Sequence, residues 1–441
     1  MKNRFFKYVS QNILAMIGLS LYILADTYFI SKAVGANGIT ALNMALPVYG
    51  VIFALGQMVG VGSAIRYSIV KEQYRNSNKD GSNECDKYFS GALFWGLVIG
   101  VIFAVLGLLF PDKIVEIMGG DETIVAIGVP YFRIFMSFSP FFIFNYTCNA
   151  FVRNDGNPSV SMAATLISSL FNIVFDYILM FPLGMGMPGA ALATALSPVV
   201  GVMICMIHFL SKKNTVKFKW FKTSLTRLFH CCQVGMSAFV GEMSGAVIVM
   251  VFNFIILRLT GNIGVAAYGV VANTALVAVA VFNGVALGSQ PLISESYGKH
   301  NIKDIKLIEK LGVATALGLA VIIVIMIWGF TDTIVGVFNS QGSDRLLSLA
   351  RVGLRIYFIG FLFAGINIFC SSALSAIASV KWAFVLSILK GFVVVNVCAA
   401  ILAPIFGMNG VWVAFPLSEF ILLIISGFAM KKSIGALESE R

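Results

Sequence analysis

The sequence contains few charged residues, and this excludes an ordinary soluble domain. Asp, Glu, Lys and Arg make up 12% of its 441 residues, whereas soluble domains average about 25%. Hydrophobic residues make up 59%, and the mean hydropathy is +0.91. Because apolar runs also reach the roughly 20 residues that a helix needs to cross a bilayer, we predict an all-α integral membrane protein.

The sequence also lacks the residue sets of common catalytic and metal sites. It has three His, no Ser/His/Asp arrangement and no Gly-x-x-x-x-Gly-Lys-[Ser/Thr] phosphate loop. The missing phosphate loop argues against ATP hydrolysis. Seven Cys, an odd number without metal-ligand spacing, indicate buried small side chains rather than disulfides. We therefore expect no enzyme activity and no cofactor, and energy from an ion gradient or a partner.

Twelve apolar runs of spanning length follow one another along the chain. They cover approximately residues 9–33, 41–68, 88–110, 124–150, 159–181, 189–210, 233–258, 265–293, 309–330, 347–374, 383–403 and 411–430. Most Lys and Arg, among them Lys79, Lys222 and Arg441, fall in loops on the side of the N-terminus. The positive-inside rule then predicts that both termini are cytoplasmic.

The two halves of the chain repeat short glycine motifs at a nearly constant offset. Gly35-x-x-Gly38 recurs as Gly261-x-x-Gly264, and Gly62-Ser63 recurs as Gly288-Ser289, each 226 residues later. This predicts two pseudo-symmetric six-helix bundles in a parallel repeat. We assign an N-terminal lobe to 1–211, a basic cytoplasmic linker to 212–230 and a C-terminal lobe to 231–441. The acid-free stretch 212–227 is expected to lie on anionic headgroups.

Carboxylates inside apolar spans are costly and usually face an ion, a cavity or another charge. Asn172 and Asp176 are four residues apart, on one face of a helix, and Thr194 returns along the next span. An amide, a carboxylate and a hydroxyl form an all-oxygen pocket suited to a hard cation or a proton. Asp26 lies at comparable depth in the same bundle, and Asn149 is a further candidate.

Several alternatives remain open for these acids. Asp26 and Asp176 could cap broken helices or pair with Arg133, the only basic residue expected inside that bundle. Glu242 could attract a cationic, apolar substrate in a central cleft, or could pair with a basic residue of the second bundle. The candidate partners are Arg351, Arg355 and Lys390. For Glu419 we favour a structural role, paired with Lys390 or satisfied by the backbone.

The chain resembles the multidrug and toxic compound extrusion (MATE) family, in its DinF-like branch. Three stretches carry the resemblance: ADTYFISKAVGANGITALNMALP, NIVFDYILMFPLGMGMPGAALAT and AAYGVVANTALVAVAVFNGVALGSQPLISESYGKHN. The resemblance implies twelve helices in two lobes that open alternately to either side. It also implies export of organic cations and other toxic compounds in exchange for H⁺ or Na⁺.

The resemblance assigns roles to individual residues. It makes Asp26 the first-helix acid, and it implies a proton or Na⁺ site in the first lobe and a seventh-helix acid at Glu242. The implied Na⁺ ligands are Asp26, Asn172, Asp176, Thr194 and the carbonyl of Ala190, with Asn149 as a further polar position. The first helix departs from the pattern, because the proline on which some DinF-like members bend is missing near Gln11.

We thus expect a cation-coupled antiporter in a bacterial cell membrane that exports hydrophobic, cationic drugs or metabolites. Its expected partners are organic cations or amphiphiles and membrane lipid, with no nucleic acid, and we expect a monomer. The alternative is a flippase for lipid-linked precursors of the same broad superfamily. The interior basic residues of the second bundle keep that alternative open, and the acids of the first bundle argue against it.

Overall fold

The computed structural model describes residues 1–77, 81–221, 223–338 and 343–439. Lys79, Lys222 and Arg441 of the charge count lie outside these residues. Within them the chain is helical and contains no β-strand. The all-α prediction is confirmed.

The described residues form sixteen α-helices. They are α1 (Lys2–Ala33), α2 (Ala36–Asn76), α3 (Ser82–Leu109), α4 (Pro111–Ile117), α5 (Glu122–Ser137), α6 (Ser139–Asn154), α7 (Pro158–Met180), α8 (Gly186–Phe209), α9 (Leu225–Gly298), α10 (Ile302–Gly329), α11 (Thr331–Phe338), α12 (Asp344–Tyr357), α13 (Phe361–Ala376), α14 (Val380–Ile388), α15 (Val394–Phe406) and α16 (Met408–Ser439). A 3₁₀ turn (Phe358–Gly360) joins α12 to α13, and a π-helical turn (Leu389–Val393) joins α14 to α15.

These helices make up the twelve predicted spans. Ten segments are long and apolar enough to cross a membrane, and the pair α5 and α6, bent by 46°, adds an eleventh. The 74-residue α9 is interrupted at Gly261, where the backbone is not helical, and so contains two spans. Short α4 and α11 lie between spans.

The glycine repeat corresponds to a repeated backbone conformation. Gly35, between α1 and α2, has φ 82° and ψ −156°, and Gly261 within α9 has φ 67° and ψ −157°. A positive φ of this size is accessible to glycine and strained for other residues. The same conformational requirement at both positions explains why this motif is present in both halves.

The chain divides into two compact units that exchange short helical segments. Residues 14–239 form one unit, and residues 1–13 join those from Val240 onward in the other. The first turns of α1 therefore pack with the second half of the sequence, and the first turns of α9 pack with the first half. The predicted lobe boundaries at 211 and 231 did not include this exchange.

Gly62 and Gly288 have equivalent roles in the two units. A Cβ atom at Gly62, on α2, would overlap the carbonyl oxygen of Cys231 at the start of α9. A Cβ atom at Gly288 would lie 2.7 Å from Cα of Val9, on the first turns of α1. Each glycine therefore permits close backbone contact with an exchanged segment, as small residues do between membrane helices.

The apolar core of the unit 14–239 lies directly beside the candidate site. Its buried side chains come from helices α1, α2 and α4 to α8. Ile30 lies one turn after Asp26 on α1, and Met180 lies one turn after Asp176 on α7; both are buried. Tight packing around these positions holds the two acid-bearing helices in register.

Candidate functional site

Small and aromatic side chains bring α1 against α7. A Cβ atom at Gly18 would lie 2.5 Å from Cδ2 of Leu166, so the Leu166 side chain packs against the α1 backbone there. Further along, the Phe29 ring lies 6.2 Å from that of Tyr177 and 6.0 Å from that of Phe181. These contacts lie on either side of Asp26 on α1 and place that residue beside α7.

Asp26 and Asp176 form a buried carboxyl pair. Asp26 is 7% exposed and Asp176 is fully buried, and the two side chains lie close enough to interact directly. Within the described residues neither carboxyl forms an ion pair with Lys, Arg or His. In the described ranges, both oxygens of Asp176 and Oδ1 of Asp26 lack a hydrogen-bond donor of normal geometry. A proton or a small cation would satisfy these oxygens.

Asn172 and Thr194 complete the pocket from α7 and α8. The Asn172 Nδ2 amide donates a hydrogen bond to Thr194 Oγ1 over 3.2 Å, and both side chains are buried. Asn172 Oδ1 has no partner in the described part of the chain. Ala190 is buried one turn before Thr194, where its carbonyl serves first as a helix acceptor. The oxygen donors are of the type that a hard cation prefers.

Two tyrosines that were not predicted from the sequence lie beside this pair. The hydroxyls of Tyr49 on α2 and Tyr131 on α5 are 3.0 Å apart and buried. Both interact electrostatically with Asp26, and Tyr131 also interacts with Asp176. Buried tyrosines usually need a hydrogen-bond partner, so two tyrosines in adjacent apolar spans were an available signal. They give the pocket a polar wall of hydroxyl groups.

The structure does not bring Asn149 to this pocket. Its side-chain amide bonds to the Asn145 carbonyl over 2.9 Å, and its Oδ1 accepts from Ser161 Oγ over 3.1 Å. Ser161 precedes Asp176 by fifteen residues on α7, a rise of about 22 Å along an α-helix. Asn149 therefore belongs to a separate polar cluster near the start of α7.

The salt-bridge alternative for the two acids finds no support. The Arg133 side chain is exposed. The prediction that Arg133 is the only basic residue inside this bundle is wrong, because Arg153 at the end of α6 is 6% exposed. Arg153 lies near the start of α7, at the end opposite to Asp176.

In the second unit, Glu242 and Glu419 have different surroundings. Glu242 lies on an exposed face of α9, and one of its proposed partners, Arg351, pairs instead with Asp332 over 2.6 Å. Glu419 is buried, and its Oε2 accepts from Asn367 Nδ2 over 2.7 Å. Lys390 lies near enough to Glu419 for the two charges to interact. These contacts agree with a structural role for Glu419.

A second buried network, not predicted from the sequence, surrounds Asp155 between α6 and α7. Its Oδ2 lies 2.9 Å from His208 Nε2, its Oδ1 accepts from Lys71 Nζ over 2.8 Å, and Thr215 donates to it from both backbone and side chain. Burial alone would raise the pKa of the Asp155 carboxyl. The hydrogen bond from His208 and the charge of Lys71 outweigh burial and hold this pKa well below its usual range.

The fold and the sequence both match known proteins. The family model MatE matches residues 12–178 and 238–405, about three quarters of the chain. The two matched segments start 226 residues apart, the offset of the glycine repeat. A structure described as the outward-facing conformation of a multidrug resistance MATE family transporter of the MOP superfamily is similar, with a TM-score of 0.92 and 22% identity, over 99% of this chain and 96% of that one.

Two curated relatives are named multidrug export protein MepA. The one from Staphylococcus aureus is 27% identical over 406 residues, covering 90% of this chain and 86% of the relative. The one from Staphylococcus saprophyticus is 24% identical over 396 residues, with 89% and 85% covered. Placement in the DinF-like branch stays a prediction. With the family model matched over most of its length, the chain belongs to the MatE family and is a membrane transporter rather than an enzyme.

Proposed function

We propose that this transporter is an antiporter that exchanges H⁺ or Na⁺ for hydrophobic cations through the Asp26–Asp176 pair. The observation that carries the proposal is the buried pair itself, with three carboxyl oxygens that have no donor of normal geometry among the described residues. Two carboxylates in a low-dielectric site cannot easily both ionise. The pair therefore takes up a shared proton or a cation and titrates as one unit.

Ion and substrate transport are coupled because the ion and the substrate each stabilise a different conformation of the transporter. Ion bound at Asp26, Asn172, Asp176 and Thr194 favours one arrangement of α1, α7 and α8, and substrate favours another. Linkage then makes each ligand lower the affinity for the other. The uninterrupted helix of α1 from Lys2 to Ala33 supports a mechanism without a proline bend in that helix.

The substrate class is inferred from the relatives and from charge. The curated relatives are named for multidrug export, and the exposed Glu242 carboxylate on α9 gives an electrostatic preference for organic cations over anions. We place the protein in a bacterial cell membrane with both termini cytoplasmic, because the Lys/Arg distribution follows the positive-inside rule. No cofactor beyond the coupling ion takes part in this cycle.

The flippase alternative requires free basic groups for a pyrophosphate. Arg351 is paired with Asp332, and Lys390 interacts with Glu419. Of the three candidate basic residues, Arg355 alone has no such acidic partner among the described residues. This distribution of charge favours cation export over binding of a lipid-linked pyrophosphate.

Dye efflux from vesicles with one imposed gradient at a time tests the proposal. We expect a proton or a sodium gradient to drive ethidium transport by the natural protein. The Asp176→Asn variant should be folded and inactive in both gradients. Equal transport by the variant would overturn the proposal, and accumulation of lipid-linked precursors without a dye phenotype would favour the flippase.

A further inference from the structure

A cavity of about 730 Å³ lies within the unit 14–239, apart from the carboxyl pair. Its walls include side chains of α3 between residues 87 and 97, the end of α8, the non-helical segment 214–221 and the first turns of α9. Its volume is in the range of pockets that hold small amphiphilic ligands. The proposed transport cycle uses none of these residues.

The non-helical segment 214–221 is fixed in place as one wall. The Lys217 amide donates to Asp86 Oδ1 over 2.7 Å, and the Lys219 amide donates to Ser90 Oγ over 3.0 Å. The Thr215 amide donates to Asp155 Oδ2 over 2.9 Å. These bonds attach the segment to α3 and to the Asp155 network, so part of the predicted basic cytoplasmic linker forms a defined wall of the cavity.

Large apolar side chains project outward at the rim of this cavity. Trp220 is 84% exposed, Leu210 is 81% exposed and Phe218 is 50% exposed. The Phe218 and Trp220 rings contact each other with centroids 5.4 Å apart. Tryptophan beside lysine is typical of the membrane interface, so this rim belongs at headgroup depth rather than in free water.

The rim is also positively charged. Basic residues line the cavity at Lys87, Lys217, Lys219 and Arg227, and no Asp or Glu is among its described lining residues. Two nearby carboxylates offset part of this charge: Asp86 pairs with Lys219 over 2.8 Å, and Glu84 pairs with Lys87 and Arg227. The ammonium of Lys217 has no ion pair within the described residues. The rim therefore keeps a net positive charge.

We propose that this cavity binds one anionic glycerophospholipid from the adjacent leaflet. The phosphate would lie at Lys217 and Arg227, and an acyl chain would extend along the apolar wall that includes Leu93, Phe144 and Met206. An apolar interior below a cationic rim is the chemical complement of such a lipid. The bound lipid would join α3, α8 and the linker segment. The proposal does not depend on which ion drives transport.

Tryptophan quenching by brominated lipid tests this site, because Trp95 lines the cavity. The full-length protein is reconstituted in phosphatidylcholine with a minor fraction of phosphatidylglycerol carrying brominated chains, or of brominated phosphatidylcholine. The difference between the natural protein and Trp95→Phe isolates the Trp95 signal. We expect brominated phosphatidylglycerol to quench Trp95 about fivefold more effectively, as one uncompensated cation at a membrane surface would give.

Two controls distinguish a specific site from general lipid contact. The double variant Lys217→Gln/Arg227→Gln should remove the preference, whereas Lys113→Gln, an exposed lysine on α4 outside the cavity, should keep it. Trp328, exposed on α10 of the other unit, should be quenched equally by both lipids. Equal quenching of Trp95 by both lipids would overturn the proposal. So would relief of the quenching by tetraphenylphosphonium, which would assign the cavity to transported cations.

Discussion

The Asn172 side-chain amide donates a hydrogen bond to the Thr194 hydroxyl over 3.2 Å, and this bond joins α7 to α8 at the candidate site. It consumes one of the Asn172 donors and fixes the direction of the amide. Among the residues that the structure describes, the Asn172 Oδ1 atom has no donor, and it lies on the helix that carries Asp176 one turn further on. The bond therefore fixes the direction of an oxygen that we propose as a ligand of the coupling ion.

The first prediction concerns this orientation. Thr194→Val keeps the shape of the side chain and removes the hydroxyl. A hydrogen bond of this kind contributes about 1 kcal/mol, so we expect the apparent ion affinity to fall roughly five- to tenfold, while maximal efflux at saturating ion persists. The measurement is efflux rate against coupling-ion concentration.

Thr165→Val is the matched control. Within the described part of the chain its hydroxyl bonds to the Ser161 carbonyl of its own helix alone, so the ion dependence should not change. An unaltered ion affinity in Thr194→Val would remove Thr194 from the site.

A second prediction concerns the exchanged helix segments. Gly62→Ala introduces a methyl group against the backbone of Cys231, and backbone cannot move aside as a side chain can. Overpacking of this kind costs about 1–3 kcal/mol, and we expect a clear fall in thermal unfolding temperature in detergent. Gly318→Ala on α10 has open space around it and should be neutral or slightly stabilising. Equal unfolding temperatures for the two variants would contradict the close contact between Gly62 and the Cys231 backbone.

The glycine repeats and the apolar runs could be predicted from the sequence because both are local. A positive φ at Gly35 and Gly261 depends on one residue, and a spanning helix depends on a continuous apolar stretch. Spacing of four residues on one helix likewise predicted that Asn172 and Asp176 share a face. Two residues one helical turn apart lie on the same face of the helix, so their spacing in the sequence is enough to predict this arrangement.

The remaining parts of the site depend on contacts between distant segments. A helix that is apolar on all sides has no polar and apolar faces in its sequence, so the sequence does not predict which face contacts which neighbouring helix. The sequence therefore did not predict Tyr49 and Tyr131 beside the acids. It also did not predict that Asn149 would pair with Ser161, because the depth of α6 depends on the bend of 46° between α5 and α6.

A third prediction concerns the Asp155 network and pH. Because its pKa is depressed in the folded state, the carboxylate stabilises the protein above the unfolded value of about 4, and this contribution is lost as the pH falls through the folded value. Asp155→Asn should cost about 3 kcal/mol at neutral pH, as expected for a broken buried pair. Melting temperatures of both proteins from pH 8 to low pH give the difference.

The difference in melting temperature between the natural protein and Asp155→Asn should stay constant from pH 8 to about pH 5 and shrink below about pH 4. Faster tryptic cleavage after Lys212 or Lys213 should accompany it, because Thr215 loses one of the two carboxylate oxygens that accept from its amide and its hydroxyl. Asp332→Asn, which breaks an exposed pair, should have little effect. A difference that is unchanged at the lowest pH would contradict this assignment.

The fourth prediction concerns Lys390 and Glu419. Glu419→Gln leaves Lys390 without its opposite charge in an apolar region, and we expect a destabilisation of about 3 kcal/mol. Adding Lys390→Gln should restore most of the melting temperature, because it removes the unpaired charge. Additive losses in the double variant would show that the two charges do not interact.

The most direct test of the central claim is ion release on substrate binding by the purified protein. A weakly buffered sample with a pH indicator and a sodium electrode is titrated with ethidium. If Asp26 and Asp176 hold the coupling ion, the natural protein releases H⁺ or Na⁺ as ethidium binds, and a folded Asp176→Asn variant binds ethidium without that release. Equal release from both proteins would contradict the account.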